Sequence, residues 1–469
     1  MGETVSLIKT SFNHSLQIEG RPERLSAESG ALLLREADER LGLSRDLAAL
    51  LEDPRSKGVR HSYAELLRTS IFLQALGWRD QDDADFLRDD AALRSSVADC
   101  RGTKPLTKPT GLPSQPTLSR FQDSLSTEEN RSILRSSLLE GASRRVKSNN
   151  GENRLRNLTL DIDSIPIEVD GHQPGAEFNG HYGAKMFHPL IATAAEIGDI
   201  LDVKLRPGSV HTAEGGLDFI LDIAREAKQK ICQVAAVRID AGFPDNKTLS
   251  GLEQEGIPYV ARIKSNSALQ KLAEPYLVRP PGRPPLEGRT WTVEMDYKAK
   301  DWDKSRRVVL VVTEKPGEMF LDNFFMVTSW TEDEKSAEKL LDHYRQRGTA
   351  ESVFGELKDA IAPALSSNVR PKTHYRGTVL NKTEHPNLSF YVNEVRLILA
   401  ALAYNLAHVI RTTIQSVTGQ GMRIKSIRDK YLRIPSRFIM HARRIIVIIS
   451  DSVRDRWRDI WHRIPRYAS

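Results

Sequence analysis

Apolar residues recur every three to four positions over residues 30–41, 47–51 and 61–75, the mark of helices that each bury one face. The first 150 residues therefore read as a helical domain. Near its end, Pro116 precedes Thr117-Leu118-Ser119-Arg120-Phe121 within residues 112–125, which suits a short helix of helix-turn-helix type. Ser126 and Glu129 suit a capping box for a following helix over 128–143. In that arrangement Ser119, Arg120 and Gln122 would face DNA; packing inside a helical bundle is an equally good reading.

The pattern changes at Arg156. Residues 158–163 alternate apolar and polar like a half-buried strand, and a glycine-rich stretch follows over 171–183. Strands are predicted at 188–194 and 200–205 around a turn at Gly198, then a helix over 212–230 with Leu217, Ile220, Leu221 and Ala224 on its buried face. A nearly continuous apolar strand at 233–240, a helix at 246–254 and another buried strand at 257–264 complete the order βββαβαβ. A meander feeding right-handed crossovers is the topology of the RNase H-like fold, an order that other mixed α/β folds share. Beyond residue 270, the Pro-rich 279–285 and strand-like runs at 290–293, 307–313 and 323–328 read as a β-rich insertion. Helix resumes over 334–343, continues in some form through 344–360, and returns as a long apolar helix at 393–414. The expected fold class is α/β, an RNase H-like mixed sheet flanked by helices and interrupted by a β-rich insertion, behind an α-helical N-terminal domain. The expected units are a helical DNA-binding domain (1–150), a core in two parts (151–270 and 333–415) around the insertion (271–332), and a basic tail (416–469).

Hydrophobic residues make up 39% of the 469 positions, enough for a full core. Cys100 and Cys232 are the only cysteines and lie far apart, which leaves neither a disulfide framework nor a cysteine zinc site and points to a reducing compartment. The first nine residues carry no apolar signal core, and no uncharged apolar run nears the roughly 18 residues that span a bilayer. A soluble, cytoplasmic protein is expected. The net charge of +6 is modest, but residues 416–469 hold 13 Lys and Arg against 4 Asp, a net of +9, leaving −3 for the first 415 residues. Arg437, Arg443, Arg444, Arg454, Arg456 and Arg458 would supply the clustered cations that phosphates need, with a solvated basic face as the plain alternative.

Two acidic residues end buried strands: Asp163 after Leu158-Thr159-Leu160-Asp161-Ile162, and Asp240 after Val234-Ala235-Ala236-Val237-Arg238-Ile239. Strand ends are where ligands meet an open α/β sheet, and carboxylates there would bind hard divalent ions that activate a hydroxyl and stabilise a leaving oxygen in phosphoryl transfer. A strand-end Asp more often caps a turn, but two in this strand order shift the balance. Asp161 and Asp163 lie on one face of their strand, and either could be the ligand; Asp163 is nearer the end, leaving Asp161 as an alternate or supporting one.

A third element runs from Tyr344 to Lys358. At about 100° per residue from Tyr344, Arg347, Glu351 and Lys358 fall at roughly 300°, 340° and 320°, one narrow face offering a phenol, two cations and a carboxylate. Such a face suits a group that grips a metal ion and a phosphodiester together; an exposed face laced with ion pairs is the bland alternative. The spacing Tyr344, Arg347, Glu351, Lys358 resembles the Tyr-Arg-Glu-Lys signature of one branch of bacterial insertion-sequence DDE transposases. Asp240-Ala241-Gly242-Phe243-Pro244-Asp245 is similar to the second motif of that family, and Gly171-His172-Gln173 with residues 180–183 to its glycine-rich segment. The resemblance implies Asp163, Asp240 and Glu351 as catalytic metal ligands, with two Mg²⁺ ions per site and Mn²⁺ as a substitute. It also implies double-stranded DNA as partner, in the form of element ends and target, and a homodimer on DNA in the nucleoid. Tyr344, Arg347 and Lys358, with Arg120, Arg443 and Arg444, would contact DNA. The same carboxylates would serve an RNase H-like nuclease or resolvase that does not join strands. A domesticated DNA-binding regulator would keep the fold alone, and a complete acidic triad argues against it.

Overall fold

In the computed structural model, residues 8–13, 15–18, 23–55, 58–100, 111–148, 155–282, 285–368, 388–441 and 444–467 are described. The principal N-terminal helices are α1 (Ala31–Leu41), α2 (Tyr63–Leu76), α3 (Gln115–Ser124) and α4 (Glu128–Ser148). Local chemistry sets their ends. Gly42 closes α1 in the left-handed region at φ 66°, and Ser62 with Glu65 forms a capping box at the start of α2. At the start of α4 the Oγ of Thr127, not Ser126, accepts the Asn130 N–H (3.2 Å), because Ser126 turns its hydroxyl back to the Asp123 carbonyl.

Among the described residues, eight strands form one mixed sheet. They are β1 (Asn157–Ser164), β2 (Leu190–Ala194), β3 (Ile200–Lys204), β4 (Gln233–Ile239), β5 (Tyr259–Ile263), β6 (Arg289–Tyr297), β7 (Arg306–Glu314) and β8 (Asp322–Thr328). Their spatial order is β6-β7-β8-β5-β4-β1-β2-β3. The central strands β1, β4 and β5 run parallel, and the remaining neighbours pair antiparallel. The glycine-rich stretch holds a small second sheet of Ile167–Glu168, Glu177–Asn179 and Ala184–Phe187. The segment expected as an insertion does not fold apart: its three strands lengthen the central sheet through β8, which pairs with β5 from Val260↔Thr328 to Ile263↔Phe325.

On one face of the sheet, α5 (Gly216–Lys230) and α6 (Asn246–Gln254) bury Phe219, Ile220, Leu249 and Leu252 against Leu158, Leu160 and Ile162 of β1. Of the expected face of α5, Ile220 and Ala224 are buried, while Leu217 and Leu221 lie half-buried at its edge because the buried side extends through Phe219, Ile223 and Ala227. On the other face, α7 (Ala337–Arg345) covers Val260, Val309, Val311 and Met326, and α9 (Leu388–Thr418) covers Ile191, Ile200 and Val203; α8 (Gly348–Glu356) lies between them in the chain. By length and composition α9 could cross a bilayer, but 78% of its most apolar stretch is buried inside the protein. Asn405 of α9 clamps the start of β3, accepting the Ile200 N–H (2.9 Å) and donating to the Ile200 carbonyl (2.8 Å).

The N-terminal helices share their apolar core with α9 and with the C-terminal residues Ile424, Ile427, Tyr431, Leu432, Trp457, Ile460 and Ile464. Buried ion pairs join α4 to the sheet edge, Arg135 to Asp202 and Arg145 to Asp199. The stretch read as a basic tail is thus interior on one side and basic on the other. Its strands Ser436–His441 and Arg444–Ile449 form a hairpin that pairs with Arg24–Ser26, and α10 (Asp451–Arg463) packs Trp457 and Ile460 inward. Deleting residues 416–469 should therefore unfold or severely destabilise the whole chain, since several large apolar side chains each contributing roughly 1.5–3 kcal/mol would be lost. A cooperative thermal transition unchanged from that of the full-length protein would contradict this.

Candidate active site

The site grows from the polar side of β1. Even-numbered residues Leu158, Leu160 and Ile162 enter the apolar layer under α5, so the odd-numbered Thr159, Asp161 and Asp163 face the opposite side. Asp161 is fully buried there, and both its oxygens accept from Arg238 of β4, Nε to Oδ1 and Nη2 to Oδ2 at 2.6 Å each. These residues lie directly opposite each other in the parallel register. Burial pushes the Asp161 carboxyl up, against the Arg238 guanidinium that favours its charged form. With both oxygens committed, Asp161 is a structural anion in this arrangement and does not stand open as an alternate ligand.

One step past the last paired residues, Ile162↔Ile239, the register brings Asp163 and Asp240 side by side. Asp163 is half-buried; burial, with the charge of Asp240, pushes its carboxyl up to about 6 despite Arg347 beside it. The turn after Asp240 explains the local sequence. Gly242 is required because a side chain there would sit 2.6 Å from Thr212, Phe243 plugs the apolar layer, and Asp245 caps α6 by accepting the Thr248 N–H (2.8 Å).

The expected helix over residues 344–358 is broken twice. α7 ends at Arg345, a tight turn through Gln346 and Arg347 follows, α8 begins at Gly348, and a π-helical turn occupies Leu357–Ile361. Arg347 is buried and donates through Nη2 to Asp163 Oδ2 (2.7 Å) and through Nη1 to Glu351 Oε1 (3.2 Å). Glu351 is exposed at the mouth of the site. The Tyr344 phenol, pushed up to about 12 chiefly by burial, also feels Asp240 and Arg347. Asp163, Asp240, Tyr344, Arg347 and Glu351 are therefore brought together. Lys358 is exposed on the π-helical turn, and among the described residues no hydrogen bond or ion pair ties it to Arg347 or Glu351.

The remaining expected DNA contacts lie elsewhere. Arg120 is exposed on α3 and Arg444 on the C-terminal hairpin; Arg443 falls outside the described residues. Gln122 is buried, its Oε1 accepting from Arg396 Nε at 2.9 Å, so it serves the packing of α3 on α9 and does not face outward. Three site residues escaped sequence reasoning. Arg238 read only as part of an apolar strand. His343, pushed down to about 4 chiefly by burial, lends its carbonyl to Arg238 Nη1 (2.8 Å). Tyr182 sits in the turn after Asn179, its ring edge-on to His188 at 5.8 Å, and its phenol is pushed up by burial and by the charges of Asp163 and Asp240. The glycines flanking it, Gly180 and Gly183, were the available signal.

Asp163, Asp240 and Glu351 offer hard carboxylate oxygens, and the crowding of Asp163 by Asp240 is a charge imbalance that a divalent cation would relieve. The donor chemistry fits such an ion. The arrangement is closed by Arg347, and no group of three or more His, Cys, Asp or Glu side chains among the described residues is disposed to hold a metal.

A family model described as "Transposase DDE domain group 1" matches residues 8–468. No curated protein sequence matches the chain. A solved structure, that of the piggyBac transposase synaptic complex with hairpin DNA, is similar over 86% of this chain and 79% of that one, with 13% sequence identity and a TM-score of 0.39.

Two outcomes follow from this geometry. Arg238→Ala would strand the buried Asp161 carboxylate and should cost about 3–5 kcal/mol in urea unfolding; a loss under 1 kcal/mol would mean the pair is not closed in solution. Because the Asp163 carboxyl is raised in the fold, the folded state holds more protons than the unfolded chain between pH 4 and 6. Metal-free wild type should therefore lose stability relative to Asp163→Asn as pH rises through that window, by up to about 3 kcal/mol. A difference that does not vary with pH would contradict it.

Proposed function

The chain belongs to the DDE transposase domain family, group 1, over residues 8–468, and on that premise we propose that it binds the terminal inverted repeats of an insertion sequence, cleaves the DNA ends and joins them to target DNA. The observation that carries this reading is the convergence of Asp163 and Asp240, at the ends of adjacent parallel strands, on Arg347 and Glu351 from the turn and helix after α7. The order β3-β2-β1-β4-β5 at the heart of the sheet supports an RNase H-like core. The Tyr344, Arg347, Glu351 and Lys358 spacing supports the insertion-sequence branch. Asp163, Asp240 and Glu351 would hold two divalent cations, Mg²⁺ or Mn²⁺, which when bound supply Lewis-acid activation of the attacking hydroxyl and neutralisation of the leaving oxygen.

The protein's own groups do the rest. Asp163 and Asp240 are aligned by the strand register beneath them, so the carboxylates that would receive a cation are preorganised. The Tyr344 phenol stands beside the same carboxylates, where it can donate to a phosphate oxygen, and Tyr182 borders them from the glycine-rich stretch. Arg347 would meet a phosphate oxygen only on leaving Asp163 and Glu351. Lys358, Arg120 and Arg444 are exposed, as contacts to the DNA backbone would require. A homodimer that pairs two ends, acting on the nucleoid in the cytoplasm, completes the reading.

Cleavage of a duplex carrying the element's ends, in Mg²⁺ or Mn²⁺, tests it. Asp240→Asn and Glu351→Ala should each abolish strand cleavage while leaving end binding nearly intact; normal cleavage by either would reject its assignment. Glu356→Ala is the contrasting variant. Glu356 is buried, ion-paired to Arg411, and its Oε1 accepts the Ile424 N–H (2.8 Å), so this change should destabilise the fold by about 3–5 kcal/mol without removing a ligand. Glu356→Ala that is folded but inactive, beside active Glu351→Ala, would show the two roles to be exchanged. For DNA affinity, Arg444→Glu should lower the slope of log K against log salt by about 1 with the melting temperature unchanged, and an unaltered slope would place the hairpin off the DNA.

A further inference from the structure

Arg347 occupies an unusual position for a residue expected to grip DNA. It is 6% exposed, and its two terminal nitrogens are spent on two of the three carboxylates proposed as cation ligands. Both Asp163 oxygens are engaged as a result: Oδ2 accepts from Arg347, and Oδ1 accepts the N–H of Ser164 at 2.8 Å. The Arg347 Nε, also buried, has no hydrogen-bond partner among the described residues. A guanidinium held this way is neither open to phosphate nor fully satisfied where it lies.

A divalent cation bound by Asp163 and Glu351 needs lone pairs that point at Arg347 in the present arrangement. A divalent ion and the guanidinium repel each other across those oxygens, so the two compete for them. We propose that Arg347 is an internal counter-ion that holds Asp163 and Glu351 in the metal-free protein and is displaced when a divalent cation binds. This rests on the reading of Asp163, Asp240 and Glu351 as the ligand set. Displacement frees the guanidinium beside the ion it has made way for, where a phosphodiester oxygen is its natural partner. Cation and phosphate then assist each other, because each favours the arrangement in which Arg347 has left the carboxylates; the coupling is reciprocal by linkage. Cation affinity in the absence of DNA is the intrinsic affinity multiplied by the fraction of molecules in which the guanidinium is already displaced.

The alternative is that Arg347 orients the two carboxylates for the ion, in which case its removal weakens binding. Mn²⁺ alone separates the two, followed by electron paramagnetic resonance of the free ion with the purified full chain and no DNA. Arg347→Ala and Arg347→Gln should bind Mn²⁺ more tightly than wild type, on the order of tenfold, whereas Arg347→Lys, which keeps the charge, should stay near wild type. In the same samples both neutral variants should melt lower than wild type without metal and gain more on adding Mn²⁺; the glutamine variant guards against a fold lost with the alanine. If Asp163→Asn abolishes Mn²⁺ binding but neither neutral variant tightens it, the counter-ion proposal is overturned and the ligand assignment stands. If Asp163→Asn binds Mn²⁺ as wild type does, the ligand assignment fails and the proposal fails with it.

Discussion

The site depends on one buried ion pair. Asp161 and Arg238 face each other across the two central parallel strands, each almost wholly shielded from water. Such a pair adds little net stability over an apolar pair of the same size, since desolvating two charges costs about what their attraction returns. Its contribution is alignment. A slip by one residue would bury both charges without partners, so the pair pins the register that sets Asp163 beside Asp240 two residues later. The third arm of Arg238 reaches the carbonyl of His343 and fixes the end of α7, from which Tyr344 and Arg347 project. One guanidinium therefore positions two strands and a helix end: Asp163 and Asp240 follow from the strands, and Glu351 is reached through the turn after that helix end.

The surroundings explain why the polar groups can persist there. On the far face of the sheet the apolar cover comes in two pieces, α7 over β5, β7 and β8, and α9 over β2 and β3. The odd-numbered residues of β1 fall between the two. Asp161 lies deepest and is sealed, Asp163 is half-buried and raised, and Glu351 is exposed on α8. The three carboxylates thus run from fully buried to exposed. A cation entering from the mouth meets carboxylates of rising desolvation, which is where neutralising charge gains the most.

Much of this was readable from residue order. The βββαβαβ pattern, the helix at 246–254 and the strand-end position of Asp163 and Asp240 follow from period and from the hydrophobic runs, because strands buried on both faces and amphipathic helices leave strong local signatures. The roles of Arg238 and Asp161 were not readable, because an ion pair closed by residues 77 positions apart has no local signature; within its strand Arg238 is merely a charge in an apolar run. Gln122 misled for the opposite reason. Its spacing beside Arg120 suits a recognition helix, but its partner Arg396 lies 274 residues away in α9 and turns it inward. The three strands of residues 289–328 were found as strands of an insertion, but not their place in the central sheet, since periodicity reports that a strand exists and not which edge it joins.

The segment from Tyr344 to Lys358 shows how a spacing can stay informative after the geometry assumed for it fails. A continuous helix would put all four signature residues on one face, but the α-helix is interrupted at Gln346 and Arg347 and loosens into a π turn at Leu357. The single turn from Arg347 to Glu351 survives intact, with the Glu351 N–H donating to the Arg347 carbonyl at 3.3 Å and the two side chains bonded four residues apart. After the break, Arg347 meets Asp163 while Glu351 stays exposed. Glu356, five residues further on, is carried into the core against Arg411. The two glutamates thus differ by environment before they differ by chemistry. The short spacing inside one turn carries the pairing with Asp163, and the longer spacings to Tyr344 and Lys358 join separate rigid pieces whose mutual placement the sheet and α9 determine.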